Sequence, residues 1–243
     1  MEFKEIDWHG YRGFEFEFEG LSAYVIMPEG KPCGSWILKT EYFNAFPATD
    51  LELLSRGWCI AFNENFDRWA QERDLLRKVR FAEFVSAHFG LSQAFVLEGM
   101  SCGGLFAVKL ASMIPEKIKG LYLDAPVMNL LSCPFGIGRE SASSEMIEEY
   151  ILATGMNLSD VMAYREHPID LMHILAEHGI PVVLVAGDSD TVVPYRDNGR
   201  HLEELYRKSG LDITVYIKEG CGHHPHGLPD PKMLADAIVK MTL

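Results

Sequence analysis

The 243-residue chain contains no apolar stretch approaching the roughly 18 residues that a membrane-spanning helix needs. Its first residues, Met1 to Asp7, show no basic segment leading into an apolar run, so no secretory signal is expected. Cysteine is scarce: Cys33, Cys59, Cys102, Cys133 and Cys221 are an odd number without regular spacing. That fits free thiols in a reducing compartment better than a disulfide framework, which makes the cytoplasm the expected location. Positive charge is also in short supply. Lys and Arg number 22 against 35 Asp and Glu, a formal charge of -13. Nucleic acid and anionic membrane would both be repelled, so neither is expected as a partner. A small neutral substrate is unaffected.

What is present is an ordinary globular composition, 48% hydrophobic and 23% charged, on a chain long enough to bury a core without disulfide or metal. Phe14 to Glu19 alternates apolar and acidic residues, the period of a half-buried strand; Gly20 turns it, and Ala23 to Met27 is its hairpin partner. Short apolar runs then recur at Ser35 to Leu38, Trp58 to Phe62, Ala94 to Leu97, Gly120 to Leu123, Pro181 to Ala186 and Ile213 to Ile217. These suit strands buried on both faces. Helical stretches separate most of them, at Ala48 to Ser55, Trp69 to Phe89, Gly103 to Ile114 and Arg196 to Ser209, and another, Pro231 to Met241, follows the last. Repeated β-α units imply an α/β fold with a mostly parallel central sheet and helices on both faces. Between Pro126 and Gly179 there is no strand pattern, only loop and helices at Ser144 to Thr154, Ser159 to Arg165 and Ile169 to His178. Residues 1–243 are therefore expected to form one domain, with a small helical cap inserted at about 126–179.

Three segments carry chemistry. Gly99-Met100-Ser101-Cys102-Gly103-Gly104 falls where the strand ending at Leu97 meets the helix from Gly103. A G-x-S-x-G match alone is weak; at a strand-to-helix turn it matches a nucleophile elbow, whose crowded flanks demand residues without a Cβ. The helix N-terminus behind Ser101 favours negative charge. After the strand ending at Ala186, Gly187-Asp188-Ser189-Asp190 offers two acids; Asp124, after an earlier strand, is a third. After the last strand comes Gly222-His223-His224-Pro225-His226. Three histidines in four positions raise the question of a metal, but the regular Cys/His spacing and the H-E-x-x-H pattern are lacking, so no metal is expected.

The nucleophile, acid and histidine come in the chain order serine, acid, histidine. Together these motifs resemble the α/β-hydrolase superfamily from about Trp36 onward. Glu98 to Ser101 with Gly103-Gly104, and Gly222 to His226 with Asp230-Pro231, resemble bacterial prolyl-oligopeptidase-like hydrolases and esterases. The resemblance implies the α/β-hydrolase fold, with an antiparallel N-terminal hairpin on the parallel sheet. It also implies Ser101 as nucleophile and His223 as base, with His224 the alternative. Asp190 is the implied acid, because its loop resembles G-x-x-D-x-x-V-P, with Asp124 the alternative. The oxyanion hole would use the Cys102 amide and a second donor after the first parallel strand, Glu41 or Tyr42, where the His-Gly pattern of many esterases is absent.

The expected activity is hydrolysis of carboxylic esters with small or medium acyl groups, such as acylated sugars, through an acyl-enzyme and without a cofactor. The alternatives are a short-peptide or amide hydrolase of the prolyl-oligopeptidase type and a non-catalytic small-molecule receptor. Tyr42, Phe43, Phe46, Phe66 and Trp69 are placed near the expected site. Cys102 and Cys221, beside catalytic candidates, suggest inhibition by bulky thiol reagents. A homodimer is the commonest symmetric assembly for such a chain.

Overall fold

The computed structural model describes residues 2–137 and 143–243. Of the insertion expected at 126–179, residues 138–142 thus lie outside the described residues. The strands are β1 (Lys4–Trp8), β2 (Tyr11–Phe18), β3 (Leu21–Ile26), β4 (Trp36–Lys39), β5 (Cys59–Asn63), β6 (Phe95–Met100), β7 (Ile118–Asp124), β8 (Val182–Gly187) and β9 (Ile213–Lys218). They form a single sheet in the order β1-β2-β3-β5-β4-β6-β7-β8-β9. The first three run antiparallel, β3 meets β5 antiparallel, and β4 to β9 are parallel.

Because side chains alternate across a strand, each central strand feeds two cores. Trp36, Leu38, Cys59, Ala61, Phe95, Leu97, Leu121 and Leu123 enter one. Ile37, Ile60, Phe62, Val96, Tyr122, Val183 and Val185 enter the other. Helices α2 (Glu72–Phe89), α3 (Gly103–Met113) and α7 (Gly199–Ser209) cover the first face, while α1 (Ala48–Ser55) and α8 (Pro231–Lys240) cover the second. Between β7 and β8 stand α4 (Ser144–Thr154), α5 (Leu158–Ala163) and α6 (Pro168–Glu177), the helices of the expected cap. No helix among the described residues is long and apolar enough to cross a membrane.

The order β5-β4-β6 fixes where a site can form. From β4 the chain leaves toward α1 on one face; from β6 it leaves toward α3 on the other. Neighbouring strands whose loops diverge in this way open a crevice at their carboxyl ends.

β1 was not expected from the sequence. It carries only Ile6 and Trp8 as inward apolar residues and closes the sheet edge with charge, pairing Lys4 with Glu15 and Glu5 with Arg12. Charged edges of this kind resist pairing with other chains.

Beneath the crevice lies a buried ion cluster. Lys39 Nζ, on β4, donates to Asp50 Oδ2 at 2.6 Å and Ala45 O at 3.2 Å, and meets Glu98 Oε1 at 2.9 Å. Burial pushes the Lys39 ammonium down, but Asp50 and Glu98 outweigh it and hold it above its ordinary range. Burial and the Asp50 charge push the Glu98 carboxyl up to about 8, against the pull of Lys39. Lys39→Met, which strands Asp50, should cost about 3–5 kcal/mol in urea unfolding, and adding Asp50→Leu should recover much of it. A loss below about 1 kcal/mol for the single variant would show the charges are not mutually dependent.

Candidate active site

Ser101 sits between β6 and α3 with φ at 51°, a left-handed conformation that costs a side-chain-bearing residue roughly 1–2 kcal/mol. Its neighbours enforce the turn. Its amide donates to Asp124 O at 2.9 Å, and its carbonyl accepts from Gly104 N and Val127 N, each at 2.9 Å. A Cβ on Gly99 would lie 2.7 Å from Ala107 Cβ, one on Gly104 2.5 Å from Pro126 Cβ, and one on Gly103 2.9 Å from Thr40 Oγ1. Strand, turn and helix approach so closely that only hydrogen fits at these three positions.

The loops after β8 and β9 bring the other groups to Ser101. Ser189 N donates to Cys221 O at 3.0 Å, and a Cβ on Gly187 would be 2.2 Å from that same carbonyl oxygen. The two loops are thus pressed backbone to backbone. Asp190 is buried; its Oδ1 accepts from Val192 N at 2.8 Å and Val193 N at 2.9 Å, and its Oδ2 accepts from His223 Nδ1 at 2.8 Å. Burial pushes the Asp190 carboxyl up, but His223 and the Val193 and Val192 amides outweigh it and hold it below the ordinary carboxylate range. An ionised Asp190 fixes the His223 proton on Nδ1. That leaves Nε2 to accept from Ser101 Oγ, 3.0 Å away.

The alternative residues go elsewhere. Asp124, at the end of β7, accepts from His226 Nδ1 at 2.8 Å, Gly227 N at 2.6 Å and Tyr122 Oη at 3.0 Å. Both its oxygens are engaged by these donors, and neither bonds His223 among the described residues. His226, held by this pairing, is buried. His224 is exposed and stacks on Phe46, ring centroids 5.6 Å apart, with no hydrogen bond to Ser101 among the described residues.

A cavity of ≈260 Å³ opens over Ser101, lined among others by Tyr42, Phe46, Arg68, Cys102, Met146 and His223. Among the described residues, neither the Tyr42 nor the Cys102 amide is spent on a main-chain carbonyl. Tyr42 has φ at 56°, and burial pushes its phenol up. Glu41 does not line this cavity. Its carboxylate accepts from Asn65 Nδ2 at 2.5 Å, and burial pushes it up against the pull of Lys78. Arg68 reaches across to α4, donating from Nε to Glu149 Oε1 at 2.8 Å, and this pairing raises it further.

Of the aromatic residues expected nearby, Tyr42 and Phe46 line the cavity. Phe43 instead stacks against Trp8 and Tyr24, Trp69 packs edge-on to Tyr150, and Phe66 lies under Arg73 and Arg77. Cys102 is fully buried, and burial pushes its thiol up to about 11, which disfavours the reactive thiolate.

No family model matches the sequence. Among solved structures, an S-formylglutathione hydrolase from Agrobacterium tumefaciens superposes with a TM-score of 0.67 at 14% identity, over 100% of this chain and 99% of its own. An acylaminoacyl peptidase from Pyrococcus horikoshii gives 0.65 at 15% identity, over 91% of this chain; the match covers only 37% of the peptidase. The α/β hydrolase MGS-MChE2, from a lagoon-sediment metagenome in Morocco, gives 0.57 at 17% identity, over 93% of this chain and 96% of its own. The chain therefore has the α/β-hydrolase fold.

Proposed function

We propose that this α/β-hydrolase-fold chain is a serine hydrolase that cleaves carboxylic esters of small acyl groups. The observation that carries the reading is the continuous relay from Asp190 through His223 to Ser101, ending at the floor of a cavity. In the proposed reaction Ser101 Oγ attacks the ester carbonyl while His223 Nε2 takes its proton. The carbonyl oxygen, now negative, turns toward the amides of Cys102 and Tyr42. Each such donor typically lowers the barrier by about 3–4 kcal/mol. His223 then protonates the departing alcohol, and water, deprotonated by the same nitrogen, releases the acid. Asp190 stabilises the imidazolium formed at each stage.

The cavity size supports a small acyl group: ≈260 Å³ lies below the about 300–1,000 Å³ of pockets that take drug-sized ligands. The same relay can cleave short-peptide amides, the chemistry suggested by the peptidase neighbour's name, and thioesters, suggested by that of the formylglutathione hydrolase.

Incubation with a fluorophosphonate, followed by intact-mass and peptide analysis, should give one adduct, on Ser101. A panel of p-nitrophenyl esters of increasing acyl length, with aminoacyl amides beside them, then ranks the substrates. A folded protein that takes up no fluorophosphonate would move the small-molecule receptor ahead of the enzyme.

A further inference from the structure

The fold crowds three imidazoles at one wall of the cavity. His223, His224 and His226 each offer a ligand atom, and these atoms lie within 4.8 Å of one another. Their ring centroids are 4.9–5.0 Å apart. Two of the three have an identical second partner: His223 Nδ1 is held by buried Asp190 and His226 Nδ1 by buried Asp124, each at 2.8 Å. A carboxylate on one ring nitrogen is the arrangement that fixes a metal-binding histidine, because it sets the tautomer and makes the other nitrogen more basic. His224 is free to adjust. It is exposed, and its ring stacks on Phe46 and meets the two other histidines edge-on.

We propose that His223, His224 and His226 form a binding site for a zinc-like divalent cation, and that its occupation switches the hydrolase off. Tetrahedral zinc with Zn–N near 2.0–2.1 Å needs nitrogens about 3.4 Å apart, so the cluster must tighten by roughly an ångström, a movement available to His224. His223 and His226 would bind through Nε2, since Nδ1 of each is committed. The fourth position faces the cavity and is left to water. The inhibition follows from a single lone pair. His223 Nε2 cannot hold a cation and accept the Ser101 proton at once, so forming the metal–nitrogen bond breaks the 3.0 Å hydrogen bond and leaves the hydroxyl without its base. No proton is released from His223, because that nitrogen carries none. The inhibition, though not the binding, rests on the role of His223 proposed above.

The test separates the two. Zinc chloride is titrated calorimetrically into metal-stripped Ser101→Ala protein, which cannot turn over and keeps all three rings. One site is expected, its affinity falling about 10-fold or more in both His224→Ala and His226→Gln on that background. His224 is exposed, so its replacement leaves the fold intact even if the His226 variant fails to fold. With wild type, ester turnover should fall at the same zinc concentration that half-fills the site, and EDTA should restore it. Absence of binding at millimolar zinc overturns the inference, as does binding that His224→Ala leaves unchanged. Either result leaves the fluorophosphonate experiment, and the hydrolase reading, untouched.

Discussion

Ser101→Ala is expected to lower kcat on any ester about 10⁶-fold while the protein stays folded and still binds substrate. The fold survives because alanine meets the same backbone demand: the residue keeps its Cβ and its φ of 51°, and the amide and carbonyl bonds that hold the turn are main-chain. Chemistry does not survive, since no other nucleophile among the described residues bonds His223. Cys102, the adjacent residue, is fully buried with its thiol pushed up to about 11. A residual rate of about 10³–10⁴ over water is expected from the amide donors and from substrate binding alone. Steady-state kinetics on a p-nitrophenyl ester, with product inhibition as the measure of binding, decides the matter. A loss of less than about tenfold would mean that Ser101 does not attack the substrate.

Asp190→Asn should cost about 10⁴ in kcat, and Asp124→Asn far less. The carboxylate accepts from His223 Nδ1, whereas an asparagine in its place can present N–H to that atom and drive the proton to Nε2, where it faces Ser101 and blocks proton transfer. Crystal structures of the variant should look unchanged, because Val192 N and Val193 N still find an oxygen at Oδ1. Asp124 is the informative control. It is equally buried and equally bound to a histidine, but the ring it holds is that of His226. The reverse ranking of the two variants would transfer the acid's role to Asp124.

Much of this architecture was legible in the sequence, and the exceptions have physical causes. Strands β4 to β8 are buried on both faces, so each appears as an unbroken apolar run, and helix α1 was located to the residue by Pro47 and Gly57. β1 was invisible because an edge strand needs few apolar residues. Helix α2 starts at Glu72 rather than Trp69, since Asp67 accepts the Trp69 amide and Ala70 takes a φ of 51° that no helix contains. Helix α7 starts at Gly199 because Asn198 turns its side chain to the Met128 and Asn129 amides. At the site, the family resemblance implied Ser101, Asp190 and His223, and the structure brings those three side chains together. The pairing of Asp124 with His226 had no sequence signal. It joins a strand end to a loop 102 residues later, and only the folded sheet brings them side by side. The bond between Glu41 and Asn65 was equally hidden, because Asn65 comes from the loop after β5.

The left-handed backbone at Ser101 also gives neutral drift a direction. Glycine is the residue that this φ prefers, so the nucleophile stands where another amino acid would make a more stable protein. On the role proposed for Ser101, selection for turnover would hold serine there against a pull from folding. A descendant released from that selection would gain stability by the very change that ends catalysis. It would still inherit the cavity, the paired loops and the three imidazoles, an outline from which binding proteins can evolve.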